Sequence, residues 1–236
     1  MLSNFFTLAP HIYKADFDKE ANEFLSKYYP EALEIPMAVP IMKIARERMG
    51  LRIIEAHLSE DFSILGQMCF TNGVEDIYDK ESEEFHAVKV RYGTIIIDPD
   101  TIKKRNEGCK NNTVAHECYH WHKHRDYHIS ISLQKSSKSI MQICKYDEKP
   151  ESTYSSWTDE DWMEWQANGV APRIIMPLEQ FKTVVKQLMM EYDDNPFIGN
   201  KWYSMEDWVV SSLASFFKVS KKSAGIRLKE TCSCLL

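Results

Sequence analysis

Apolar positions along the chain follow two different periods, and the change between them divides it. Phe17, Ala21, Phe24, Leu25 and Tyr28 recur at helical spacing, which predicts an amphipathic helix over Phe17–Tyr29. Pro36 and Pro40 separate it from a second helix, Pro40–Met49, which Gly50 closes. The period then shortens. Leu51–Leu58 alternates as a strand does, and Ile64–Thr71 and Ala87–Ile97 predict two more strands. Asn72-Gly73 is a turn signal after the second strand, and Asp98-Pro99 ends the third. From about residue 100 onward the pattern is helical, including Leu178–Tyr192 and the tail. Short strands followed by helices predict an α+β fold, with a small N-terminal sheet packed on a mainly helical body. Asp193–Asn200 is the best linker, which divides the chain into residues 1–195 and a C-terminal helical segment, 200–236.

The chemistry concentrates in that helical part. His116-Glu117-Cys118-Tyr119-His120 spells H-E-x-x-H. On a helix, histidines four apart share a face and can reach one metal ion, and the glutamate between them can take a proton from a metal-activated water. Asn111, Asn112 and Thr113 offer capping oxygens ahead of the motif, and no proline or glycine occurs from Val114 to Arg125. Val114, Cys118 and Trp121 fall on the opposite side, toward a core. A catalytic zinc needs a third protein ligand. His124 lies roughly 12 Å along a regular helix from His116, too far to close the same coordination sphere. The longer metzincin pattern is absent, because Lys123 and Asp126 stand where glycine and histidine are required.

Glu164 is the better third ligand. Thr158 caps an acidic helix start with Asp161 at the third position, and Glu164 is the lone acid within an aromatic stretch bearing Trp162 and Trp165. Asn168, one turn on, is expected to orient the Glu164 carboxylate. Gly169 and Pro172 predict a kink just after Asn168.

T-V-A-H-E-C-Y-H at 113–120, E-W-Q-A-N-G-V-A at 164–171 and I-I-M-P at 174–177 resemble the ImmA/IrrE family of metallo-endopeptidases. Weaker similarity extends the resemblance over roughly residues 36–229, with L-A-S-F-F-K-V-S at 213–220 in the tail. The resemblance implies a zincin-like fold and a zinc site of His116, His120 and Glu164, with Glu117 as the catalytic base. It also implies cleavage of a protein substrate, a helix-turn-helix transcriptional repressor of stress genes or of a mobile element. Val170 departs from the aromatic residue usual in the family. A second oxyanion donor is expected, with His122, His124, His128, Tyr119 and Tyr127 as candidates.

Composition narrows the setting. The 236 residues carry a net charge of −6, and the pI of about 5.8 argues against broad nucleic-acid binding. No apolar run approaches a membrane span, and the start lacks the pattern of a secretory signal, so a cytoplasmic protein with no membrane partner is expected. Six cysteines without a C-x-x-C pair read as reduced thiols, with Cys232 and Cys234 at a frayed end. Ser204 and Ser220 cap two tail helices that resemble a helix-turn-helix, the second bearing Lys221, Lys222, Arg227 and Lys229. Two other functions stay open at this point: a non-catalytic zinc-binding regulatory protein, and a DNA-binding regulator using those tail helices.

Overall fold

The computed structural model describes residues 9–134, 141–145, 157–195, 198 and 204–232. Helix α1 (Phe17–Tyr28) buries Phe17, Ala21, Phe24 and Leu25, the face anticipated by its period. A short α2 (Glu31–Glu34) follows, and then α3 (Ile41–Lys43), which widens into a π-helical turn (Ile44–Arg48). Four strands form the main sheet: β1 (Arg52–Glu55), β2 (Ile64–Cys69), β5 (Thr94–Ile97) and β6 (Met141–Lys145). Their spatial order is β1-β5-β2-β6. β1 runs parallel to β5, and β2 runs antiparallel to both of its neighbours. A separate hairpin pairs β3 (Gly73–Asp79) with β4 (Glu84–Val90).

This architecture is α+β, a small sheet on a helical body. Three details differ from the expected elements. The single strand predicted over Ala87–Ile97 is two strands in two sheets, because the chain turns at Gly93 (φ 74°). β3 carries Glu75, Asp76 and Asp79 among its apolar residues, which obscures its alternation. β6 interrupts the helical half and supplies an edge of the main sheet.

The helices that matter for the site are α4 (Glu107–Tyr119), a π-helical turn (His120–His124), α5 (Arg125–Gln134) and α6 (Asp159–Ile175). α4 starts earlier than expected. Asn106, not residues 111–113, is its cap, and its side chain accepts from Cys109 N at 2.9 Å. Residues 113–119 of α4 are all buried, so it is the central helix of the body. α6 begins with the expected capping box, Thr158 with Asp161. It then runs unbroken to Ile175 with Pro172 inside it. Proline lacks an N–H for the carbonyl four residues back. Here that carbonyl belongs to exposed Asn168, so water can answer it. Gly169 serves a close approach: a Cβ there would stand 1.9 Å from the Phe17 ring, which packs α1 onto α6.

Helices α7 (Leu178–Asp194), α8 (Met205–Phe217) and α9 (Lys221–Cys232) complete the body. Ser204 and Ser220 cap α8 and α9 as expected. Phe181 of α7, Phe217 of α8 and Leu228 of α9 belong to the same hydrophobic cluster as Phe24, Val114 and Ile174. Arg227, counted above among groups that could meet phosphate, is only 2 % exposed. It is paired with Asp18 and donates to Met176 O at 3.2 Å, so it ties α9 to the body. Cys69 and Cys118 are buried free thiols, whereas Cys234 lies outside the described residues. No helix among the described residues is long and apolar enough to cross a membrane.

Candidate metal centre

α4 and α6 lie side by side, and their facing residues build the site. Nε2 of His116 and Nε2 of His120 approach to 2.9 Å. The Glu164 carboxylate reaches both, with Oε2 3.2 Å from His116 Nε2 and Oε1 3.2 Å from His120 Nε2. A tetrahedral zinc with ligands at about 2.1 Å has ligand atoms roughly 3.4 Å apart, near the two 3.2 Å separations and a little wider than the 2.9 Å between the histidine nitrogens. Both histidines are fully buried, while the Glu164 side chain keeps 24 % of its surface exposed and forms the wet side of the group. The three residues could therefore hold one metal ion, with solvent access on the Glu164 side.

The electrostatics point the same way. Burial holds His120 below the usual imidazole range, so at neutral pH its ring is uncharged. Burial raises the Glu164 carboxyl, but its close pairing with the His116 and His120 rings outweighs it, and the carboxyl stays ionised. Two imidazoles and a carboxylate are a donor set for zinc, iron or manganese.

Glu117 sits beside this group, fully buried, and neither of its carboxylate oxygens has a hydrogen-bond partner among the described residues. Burial raises its carboxyl well above the ordinary value, and the negative charge of Glu164 adds to the rise. An unpartnered buried carboxylate is costly to leave alone. A cation nearby and a water between them would answer both oxygens. The β2 backbone leaves room for it: Gly66 lies over α4, and a Cβ there would stand 3.1 Å from Glu117 Oε1 and 2.5 Å from Thr113 Cγ2.

The surroundings of the ligands differ from expectation in one respect. Asn168 is exposed and makes no hydrogen bond among the described residues, so it does not orient Glu164. The amide that enters the site is its neighbour but one, Gln166. Its Oε1 lies 2.9 Å from His124 Nε2, and His124 Nδ1 lies 2.9 Å from His120 Nδ1. Gln166 and Asn168 lie two apart on one helix and so face roughly opposite ways, Gln166 inward and Asn168 to solvent. His124, set aside as a ligand on distance, stands behind His120 and outside the metal group.

Three of the five oxyanion candidates are engaged elsewhere. Tyr119 Oη donates to Glu20 at 3.1 Å, His122 pairs with Tyr28, and His124 is held as described. His128 is buried, stacks on Phe70 at 4.2 Å, and its Nε2 has no partner among the described residues. Trp157, just ahead of α6, clusters with Trp162 and Trp165 on its first turns, and Trp165 lies 4.7 Å from Phe17.

A family model for the IrrE N-terminal-like domain, peptidase family M78, matches residues 78–229. That span holds α4, α6 and every residue of the site, and it is more than half of the chain. The chain belongs to this family. No curated protein matches it significantly. As an M78 member it has a function of the metallopeptidase type, with a metal cofactor and a protein as its substrate.

Proposed function

We propose that this M78 peptidase is a zinc-dependent endopeptidase in which His116, His120 and Glu164 hold the ion and Glu117 is the catalytic base. The observation that carries the reading is the convergence of three ligand atoms beside a buried carboxylate with no partner of its own. Bound there, zinc would supply Lewis acidity, polarising a scissile carbonyl and acidifying water.

The protein's own groups do the rest. Two imidazoles and a single carboxylate would offset only one charge of a divalent ion, so the loaded centre would stay net positive and favour the developing oxyanion. Burial raises the proton affinity of Glu117 above that of an ordinary carboxylate, which suits a group that must take a proton and give it back. It accepts a proton from the attacking water and delivers it to the leaving amine nitrogen.

The substrate we propose is a helix-turn-helix transcriptional repressor, met in the cytoplasm. The family resemblance of the 113–120 and 164–177 motifs supports it. The test is to incubate the zinc-loaded protein with such repressors and map product termini by mass spectrometry. Cleavage at one bond by the wild type and none by Glu117→Gln supports the proposal. The same fragments from both proteins, or no cleavage of any repressor, would overturn it.

A further inference from the structure

The chain of polar atoms behind His120 has a direction, and that direction selects which nitrogen of His120 is bare. It begins at the carbonyl of Pro10, which can only accept. Gln166 Nε2 donates to that carbonyl at 2.7 Å, and this fixes the orientation of a buried amide that could otherwise be flipped. Gln166 Oε1 is therefore the end that faces His124, and it can only accept. His124 Nε2, 2.9 Å away, must carry the proton.

His124 is fully buried, and its hydrogen-bond partners among the described residues are an amide oxygen and another imidazole, neither of them an anion that would hold a second proton on its ring. With one proton, on Nε2, its Nδ1 is a lone pair. That lone pair faces His120 Nδ1 at 2.9 Å, so His120 Nδ1 must carry the proton there. The consequence reaches the metal group: His120 Nε2, on the other side of the ring, is left as a lone pair. It points at His116 Nε2 and Glu164 Oε1, where a cation is wanted and a proton would block it.

We infer that Gln166 and His124 are positioning residues that set the tautomer of His120, so that its Nε2 lone pair is presented to the metal before the metal arrives. This rests on the reading of His120 as a ligand. The relay spans three segments, the chain at Pro10, the π-helical turn and α6, and its side chains, Gln166, His124 and His120, are all buried. The π-helical turn helps to place it. Regular α-helical spacing stacks every fourth side chain, and the wider turn from His120 sets His124 behind its neighbour. Outer partners of this kind commonly change metal affinity by roughly 10–100-fold when removed.

Two measurements on the full chain test it. In the chelated wild type, nitrogen-15 correlation spectra of the histidine rings should show His124 protonated on Nε2 and His120 on Nδ1. The opposite pair of tautomers would overturn the inference. Zinc affinity by chelator competition should fall about 10–100-fold in Gln166→Met and in His124→Leu. It should be largely restored in His124→Gln, whose amide again accepts at one end and donates at the other. A packing role alone predicts no such rescue, and wild-type affinity in Gln166→Met would refute the relay. Should the wild type bind no zinc at all, the ligand reading falls, while the tautomer spectrum still decides the relay.

Discussion

Two clusters in this protein bring three metal-ligating side chains together, and only one of them asks for a cation. His57, Asp98 and Asp100 are as closely grouped as His116, His120 and Glu164. In the first cluster the acceptors are already answered. Lys80 and Lys104 both pair with Asp100, the His57 ring lies 3.2 Å from Asp98, and the Asp100 backbone N–H donates to Asp98 at 2.8 Å. The hydrogen bond from Lys80 outweighs burial and holds the Asp100 carboxyl below its usual range. In the second cluster a further carboxylate, Glu117, is buried beside the ligands, and neither of its oxygens has a hydrogen-bond partner among the described residues. Proximity of ligands is thus a weak sign of a metal. Buried acceptors with no donor are a strong one, because each costs free energy until a cation or proton arrives.

The largest expected effect is on the chemistry of the second cluster. Glu117→Gln should retain zinc and lose roughly 10²–10⁴-fold in cleavage rate, the usual contribution of a general base. A variant that cleaves as fast as the wild type would remove Glu117 from its role. Gly66→Ala comes next. Its new methyl would meet Thr113 and crowd Glu117, so overpacking should cost about 1–3 kcal/mol in thermal or denaturant unfolding, with a loss of activity beyond that of Ala substitutions elsewhere in β2. Unchanged stability would mean that the strand moves freely over α4.

A pH series sharpens the contrast further. A carboxyl raised in the folded state resists ionisation there while the unfolded chain ionises near the ordinary value of about 4.3. Without metal, the wild type is therefore penalised progressively as pH rises from that value toward the folded pKa of Glu117. Glu117→Gln lacks this term. With zinc chelated, its melting temperature relative to the wild type should be higher at pH 8, and the advantage should shrink as pH falls toward about 4.3. A difference that is constant with pH would contradict the burial of an unpartnered Glu117. The smallest effect belongs to the first cluster. Asp100→Asn loses partly exposed lysine pairs, should cost on the order of 1 kcal/mol or less, and should leave zinc content unchanged.

How far the sequence foretold this arrangement follows from the kind of pattern involved. The α1 face, the Thr158 capping box and the serine caps of α8 and α9 depend on residues within a turn or two of one another, so spacing reveals them. The nearness of His116 and His120 is of the same local kind. Glu164 needed the tertiary pairing of α4 with α6, and only its odd position, an acid among tryptophans, and the family motif pointed to it. Gln166 escaped notice because i, i+4 spacing favoured Asn168 as a partner within α6, whereas its real partner lies 42 residues away on another helix. The burial of Arg227 escaped for a similar reason, since its counter-charge Asp18 is at the other end of the chain. β6 and the β3–β4 hairpin have mixed polarity or short length, and pairing across the sheet, not local period, makes them strands.

The most direct test of the central claim is the metal content of the purified protein beside its Glu164→Ala variant. The account predicts close to one zinc per chain in the wild type, and loss or marked weakening when the carboxylate is removed. A wild type that takes up no zinc when it is offered, or a Glu164→Ala variant that keeps its zinc fully, would contradict it.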